Sequence, residues 1–186
     1  MKLNSETTTN TFAILFYGAK IILEDGRKAK EGQLYYNISC LILLAFSLEA
    51  YFNHLGTLLF SDWDKTEKSK PKREKFKFFC TELKIKCDYR IKPYRTVFEV
   101  FKFRDLMAHG KTSVDKEYRE IKEFASNLEF AKPDWHMFAS EYKNVFECLE
   151  NISLIIKKLN IAAGYDDDPF NPLSSSTAFL KPEKSS

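Results

Sequence analysis

The fold of this chain is decided by residues 33–60, which read QLYYNISCLILLAFSLEAYFNHLGTLLF. No Pro interrupts this stretch, and its apolar residues occupy more than one side of an α-helix. A helix that is apolar on several sides is stable in water only when neighbouring elements cover each of them. We therefore predict that residues 33–60 form the central helix of a bundle, with several other helices packed around it.

The window 41–60 within this stretch has about the length of a membrane span, which is the alternative interpretation. Glu49, Asn53 and His54 lie near its middle and end, and such polar side chains are costly in lipid. We interpret the stretch as a buried helix of a soluble protein and expect no membrane association. Residues 1–10 are polar, without a cationic start before an apolar run, so we expect a cytoplasmic protein without a secretory signal.

The rest of the sequence also favours helices over strands. The 186 residues include 17 Phe but only six Gly and six Pro, a composition typical of long uninterrupted helices. Apolar residues recur at three- and four-residue steps, and no alternating run is long enough to predict a sheet. The fold class predicted is an all-α helical bundle of four main helices plus one or two short ones. The helices are expected over residues 8–30, 33–60, 71–84, 93–109 and 133–163, with a polar break at 61–70 and a candidate short helix at 118–128.

Two glycines mark the expected ends of helices, and a change in composition marks the end of the domain. Gly110 follows the helix over residues 93–109 as a candidate left-handed cap, and Gly164 is expected to stop the last helix. Residues 165–186 contain three consecutive aspartates, three prolines and a run of serines. We therefore predict a helical domain over residues 1–164 and a flexible C-terminal tail over residues 165–186.

The net charge of +3 is unevenly distributed along the chain. Residues 1–60 are balanced, residues 61–122 carry 18 Lys and Arg against 11 Asp and Glu, and residues 123–186 are acidic. A basic middle fits a polyanionic partner, although a solvated lysine-rich face explains it equally well. Residues 65–77 concentrate seven basic residues and leave two interpretations open, a guide for an RNA backbone or a solvated helix face.

The cysteines do not indicate a metal site. Cys40, Cys80, Cys87 and Cys148 form no C-x-x-C pair, which argues against a zinc ribbon. We expect them to be reduced and mostly part of the core. The sequence also lacks a Glu-x-x-His pair, a Gly-rich phosphate loop and a nucleophile elbow. We therefore expect no metal and no cofactor.

The residues best suited to chemistry lie within residues 103–111, FRDLMAHGK. Asp105 and His109 are four positions apart, which places a carboxylate and an imidazole on one face of a helix. The C-terminus of a helix favours a positively charged imidazolium, and a nearby carboxylate does the same. One interpretation is therefore a histidine that stabilises a helix end through a local ion pair. The other is a reactive site built from His109 and Arg104.

The order of Arg104, the polar Asp105 and then His109 resembles the R-x(4–6)-H motif of the HEPN superfamily, the higher eukaryote and prokaryote nucleotide-binding domain. The preceding long helix is similar to the Leu-Glu-Ala-x-x-Asn helix of several bacterial members, through LEAYFN at residues 48–53. The order of the helices is also similar over about residues 8–163, with two long helices, the motif helix and a closing helix.

The resemblance implies an all-α domain that forms a homodimer through its motif helix. Many HEPN proteins are metal-independent ribonucleases of toxin–antitoxin, abortive-infection or CRISPR systems. It therefore implies RNA as substrate and an antitoxin or an antiviral defence-system protein as a partner. By this resemblance Arg104 and His109 are the catalytic candidates, and Asp105 is placed to orient His109. Lys102 and Lys111 flank the motif as candidate RNA-binding residues.

RNA cleavage without a metal needs groups of this kind. One group must take the proton of the ribose 2′-hydroxyl and another must protonate the leaving 5′-oxygen, and histidine does either near neutral pH. Arginine offers a charged planar fork to the phosphate oxygens. A two-fold dimer would supply two copies of Arg104 and His109 to one cleft and leave a 2′,3′-cyclic phosphate and a 5′-hydroxyl. Residues five apart on a helix are about 140° out of register, so the two converge within one chain only if the last turn unwinds or the arginine stem bridges the difference.

The alternative function is a non-catalytic helical dimer that binds RNA, a nucleotide or a protein partner on the same fold. A third is a helical scaffold with no nucleic-acid role. Glu49 and Asn53 share a helix face, and they either line the same cleft or form a buried polar pair. The sequence leaves the role of His54 open as well.

Overall fold

The structure is a computed structural model, and it describes residues 2–112, 114–116, 118, 131–166 and 168–181. Over these residues the chain forms seven helices and one two-stranded sheet. In chain order the elements are β1 (Lys2–Thr9), α1 (Thr11–Lys28), α2 (Gln33–Leu59), α3 (Trp63–Ser69), α4 (Lys72–Glu82), α5 (Tyr94–His109), α6 (Asp134–Ser140), α7 (Tyr142–Ala162) and β2 (Ser174–Lys181). The predicted all-α class is confirmed. The four longest described helices are α1, α2, α5 and α7, and the described residues add three shorter ones, α3, α4 and α6, instead of the one or two expected.

Helix α2 lies at the centre of the bundle, as its sequence predicts. It contacts each of the other six described helices, and its buried side chains include Leu41, Leu44, Leu48 and Leu55, all with no exposed surface. The ring of Phe52 packs against rings from α4 and α5 at centroid distances of 5.8–6.3 Å. By length and composition α2 could cross a membrane, but half of its apolar window is buried within the bundle. This burial is consistent with a core helix of a soluble protein.

Two local features differ from the sequence prediction and a third agrees with it. The polar break at residues 61–70 contains α3, because Trp63 turns inward and is only 1% exposed. Gly110 is not left-handed (φ −59°, ψ 131°), so its predicted role as a left-handed cap is wrong. A glycine is needed there because a Cβ would lie 2.7 Å from the carbonyl oxygen of Leu106. Gly164 does adopt a positive φ of 86° and ends α7, which confirms its predicted role.

The last helix is also shorter than predicted, since residues 133–163 divide at Glu141 into α6 and α7. Glu141 has extended backbone (φ −94°, ψ 114°). Near the end of α6, the buried side-chain amide of Asn37 donates a hydrogen bond to the carbonyl oxygen of Ala139 at 2.9 Å. That contact satisfies a carbonyl oxygen at the C-terminus of α6 and so stabilises the break. The periodicity of residues 133–163 does not predict it, because Asn37 lies outside that segment.

The two ends of the described chain meet in the β1–β2 ladder, which is antiparallel and pairs Thr9 with Ser174. The expectation of no sheet is therefore wrong. The reason is that the described strand side chains are Ser, Thr and other exposed residues, so no alternation marks a buried face. Part of the predicted tail (165–186) is attached to the domain, because Phe170 is 4% exposed and stacks on Phe16 at 4.2 Å. The candidate helix at 118–128 lies, apart from residue 118, outside the described residues.

Candidate nucleic-acid interface

Arg104 lies on α5 and is held from three sides. Its Nη2 donates a hydrogen bond to Oε2 of Glu49 on α2 at 2.5 Å, and its Nη1 donates to Oδ1 of Asp105 at 3.3 Å. The guanidinium also lies 5.4 Å from the ring centre of Phe46, within the range of a cation–π interaction. The Arg104 side chain is 18% exposed. Two carboxylates therefore balance its charge while its plane stays fixed, a geometry suited to presenting a cation at a defined place.

Asp105 is held by cations from two elements. In addition to Arg104, it accepts a hydrogen bond from Nζ of Lys72 on α4 at 2.5 Å. Within the part of the chain that the structure describes, Asp105 forms no hydrogen bond with His109. The structure thus brings Asp105 to Lys72 and Arg104, and the predicted orientation of His109 by Asp105 stays a prediction.

A second polar network joins α2, α3 and α4 beside the first. The ammonium of Lys75 is nearly buried and donates to Oδ1 of Asn53 at 2.8 Å, and Nδ2 of Asn53 donates to Oε1 of Glu67 at 2.7 Å. The Lys75 Nζ also lies 3.9 Å from Glu67. A buried ammonium without acceptors would be strongly destabilising, so these contacts explain how Lys75 is accommodated. Asn53 is therefore a polar link between helices.

These two networks border an open groove of about 520 Å³ between α2, α5 and the α3–α4 segment. We call it the basic groove, and its lining residues are Glu49, Glu67, Lys68, Lys70, Pro71, Lys72, Arg73, Lys75, Arg104 and Asp105. Six of these residues are cationic and three are anionic, which leaves an excess of three positive charges. A concave surface with this balance attracts phosphate backbones. The structure thus places part of the basic run 65–77 in a groove instead of on a fully solvated face.

His109 is the last residue of α5, and its side chain is exposed. Among the described residues it has no hydrogen-bond or ion-pair partner. Because α5 stays helical through His109, the last turn does not unwind, and Arg104 and His109 remain about 140° apart around the helix axis. One of the two ways in which these side chains could converge within one chain, unwinding of the last helical turn, is therefore not observed.

The predicted RNA-binding lysines lie near His109 along the chain. Lys102 is exposed and precedes His109 by seven positions, which puts both on one side of α5. Lys102 also lines a small hollow of about 170 Å³ between α5 and α6, together with Leu106 and Trp135. Lys111 is exposed directly after the helix end. Neither lysine lines the basic groove.

The other two histidines occupy different surroundings. His54 is half-buried on α2 against the ring of Phe12 at 5.0 Å, and burial lowers the pKa of its imidazole. His136 is half-buried on α6, and its Nδ1 has no partner within the described residues. Over the same residues, no cluster of three or more His, Cys, Asp or Glu could hold a metal ion. His109 is therefore the exposed imidazole that lies closest in sequence to an arginine of the basic groove.

Two contributors to the site were not recognised from sequence as partners of the motif. The sequence predicts that Glu49 either lines the same cleft as the motif or forms a buried polar pair with Asn53, but it does not predict the contact of Glu49 with Arg104, which is 55 positions away. Lys72 belonged to a basic run without an assigned partner. Searches of family models, of curated proteins and of solved structures found no match to this chain.

Proposed function

We propose that this protein is a metal-independent endoribonuclease of the HEPN type that works as a homodimer in the cytoplasm, in a toxin or antiviral defence role. The observation that carries the proposal is the composition of α5. The helix ends in an exposed His109 without a partner among the described residues, and a turn and a half earlier it places Arg104 in the wall of the basic groove. This supplies a proton-transfer group and a phosphate-binding cation from one rigid element.

The geometry gives dimerisation a catalytic reason. Since Arg104 and His109 point to different sides of one α5, a second α5 packed across a two-fold axis is needed to place an imidazole beside an arginine of the other chain. His109 of one chain then takes the proton of the ribose 2′-hydroxyl while Arg104 stabilises the charge on the phosphorane. The second His109 protonates the leaving 5′-oxygen. Glu49 and Asp105 keep the guanidinium oriented before RNA binds.

We expect the purified protein to cleave single-stranded RNA in the presence of EDTA, because none of the proposed steps uses a metal. The products should carry a 2′,3′-cyclic phosphate and a 5′-hydroxyl, which are identified by mass spectrometry and by labelling with polynucleotide kinase before and after phosphatase treatment. RNA with a single 2′-deoxy position serves as the matched control and should resist cleavage at that position. Cleavage that requires Mg²⁺, or that leaves 5′-phosphates, would contradict the proposal.

A second function is favoured by the charge balance at Arg104. With Glu49 and Asp105 both bound to it, the guanidinium already has its counter-charges. The basic groove then acts as a binding surface for RNA without turnover, supported by the lysines around it. This non-catalytic function predicts a salt-sensitive complex in which the RNA stays intact over hours.

Binding measurements report on the groove whether or not RNA is cleaved. We expect Lys72→Ala to weaken RNA binding and to reduce the slope of log Kd against log salt by about 1, because one phosphate contact is lost. Glu49→Gln should change affinity in the opposite direction, since it removes an anion from the same groove. Fluorescence anisotropy with a non-cleavable 2′-deoxy oligonucleotide measures both effects.

The matched control for this experiment is Lys157→Ala, which removes an exposed lysine of α7 outside the groove lining. This variant should bind as the wild type does. Equal losses from Lys72→Ala and Lys157→Ala would show that the groove is not the interface.

A further inference from the structure

Two cysteines outside the basic groove lie unusually close together. Cys80 is in the last turn of α4 and is 3% exposed, and Cys87 is half-buried in the connection that leads to α5. Their Sγ atoms are 2.7 Å apart. Bonded sulfur atoms in a disulfide are separated by about 2.05 Å, so closing the bond requires an approach of about 0.7 Å.

The backbone holds the two thiols in this position. Lys84 adopts a left-handed conformation (φ 54°) two residues after the end of α4, and the amide of Ile85 donates to the carbonyl oxygen of Cys80 at 2.8 Å. The amide of Lys84 donates to the carbonyl oxygen of Thr81 at 3.1 Å. This pair of hydrogen bonds is a Schellman motif, which reverses the chain at the helix end. Cys87 is thereby returned to the side of Cys80 by a defined turn.

We propose that Cys80 and Cys87 are a site of reversible disulfide formation, with hydrogen peroxide as the oxidant. The more accessible Cys87 reacts first: its sulfur attacks one peroxide oxygen, the O–O bond breaks, and a sulfenic acid and one water are formed. The sulfur of Cys80 then attacks the sulfenic sulfur, forms the S–S bond and releases a second water. In total the two thiols lose two electrons and two protons, and one hydrogen peroxide is reduced to two waters.

The surroundings of the pair define how it reacts. Burial raises the pKa of both thiols, most strongly that of Cys80, so little thiolate is present at neutral pH. The first step is therefore slow compared with that of a peroxidase cysteine. The second step needs no rearrangement of the chain, because the partner sulfur is already in place. The remaining cysteines, Cys40 and Cys148, are both almost fully buried, and burial raises the pKa of each to about 12. They serve as internal controls that should stay reduced.

Tryptic peptide mapping can detect a disulfide between Cys80 and Cys87, because cleavage sites lie between them. Trypsin cuts after Lys77, Lys84, Lys86 and Arg90, so Cys80 and Cys87 fall on separate peptides, residues 78–84 and 87–90, unless a disulfide joins them. We expect hydrogen peroxide to lower the mass of the folded protein by two hydrogens, and alkylation followed by digestion to yield the two peptides as one linked species. Dithiothreitol should release them. The melting temperature of the oxidised protein should rise by several degrees, because the bond restricts the unfolded chain.

Three variants make the result decisive. Cys87→Ser should abolish both the linked peptide and the rise in melting temperature, and Cys80→Ala provides the same test from the other sulfur if the first variant folds poorly. A Cys40→Ser variant should still form the link. The proposal is overturned if peroxide leaves Cys80 and Cys87 on separate peptides after prolonged treatment, or if Cys87→Ser still loses two hydrogens. None of these outcomes depends on RNA cleavage.

Discussion

Replacing His109 by alanine is expected to lower the rate of RNA cleavage by at least about 100-fold, the usual contribution of a general acid or base. The melting temperature should stay unchanged, because the imidazole is exposed and has no partner among the described residues. Arg104→Ala should lower the rate by a similar factor, but it also leaves Glu49 without its cation. Arg104→Lys is therefore the cleaner variant, since it keeps the charge and removes the planar fork. Single-turnover cleavage of a labelled RNA measures these rates.

Control variants separate chemistry from general charge effects. Arg95→Ala removes an exposed arginine from the same helix, where it pairs with Glu99, and His136→Gln removes an imidazole from α6. Both variants should cleave RNA at rates close to that of the wild type. If His109→Ala and Arg104→Lys also retain the wild-type rate, the nuclease proposal fails, and any RNA binding by the groove supports the non-catalytic function instead.

Complementation tests whether the site is shared between chains. In a mixture of His109→Ala and Arg104→Lys chains, a heterodimer has one pairing of an intact His109 from one chain with an intact Arg104 from the other. Exchange of subunits should therefore restore part of the cleavage that neither homodimer shows, and only part, because the heterodimer lacks the second His109 that protonates the leaving 5′-oxygen. This outcome follows from the angular separation of the two residues on one continuous helix. Restored activity would not be expected if each chain built a complete site by itself.

The parts of the fold that sequence predicts well are those with strong local signals. Residues 33–60 are apolar on several sides, and α2 is central; the stripe over residues 93–109 ends where α5 ends. The failures have non-local causes. The division at Glu141 is accompanied by an amide of Asn37 that is about a hundred positions away, and the β1–β2 ladder pairs opposite ends of the described chain through Ser- and Thr-rich segments. Periodicity within a segment contains no signal for such contacts.

The candidate site divides in the same way. The spacing of Arg104, Asp105 and His109 is local, so the sequence identifies these residues together. The partners of these residues depend on how α2 and α4 pack against α5. In the packed helices Arg104 contacts Glu49, and Asp105 contacts Lys72. The basic run 65–77 shows the same limit, since composition predicts the charge but only the packed helices show which lysines enter the groove.

The close approach of α2 and α3 leads to a prediction about stability. Gly56→Ala is expected to destabilise the protein by about 1–3 kcal/mol, because a Cβ at this position would overlap the buried indole of Trp63. The indole cannot move freely, since the rings of Phe60, Phe78 and Phe79 lie 5.3–6.1 Å from it and it is only 1% exposed. Urea unfolding monitored by circular dichroism measures the loss.

Gly18→Ala is the matched control, because it makes the same change inside α1 where space exists. A Cβ at Gly18 would meet Leu43 at 3.6 Å, an ordinary contact, so the helix should gain about 0.5–1 kcal/mol from the lower entropy of its unfolded state. The opposite signs of the two substitutions isolate the contact with Trp63 from the intrinsic helix preference of alanine. A double variant, Gly56→Ala with Trp63→Leu, should lose less than the sum of its two single changes. Since α3 also contributes Glu67 and Lys68 to the basic groove, Gly56→Ala should weaken RNA binding as well. If Gly56→Ala instead leaves the free energy of unfolding unchanged or raises it, α3 is not anchored through Trp63.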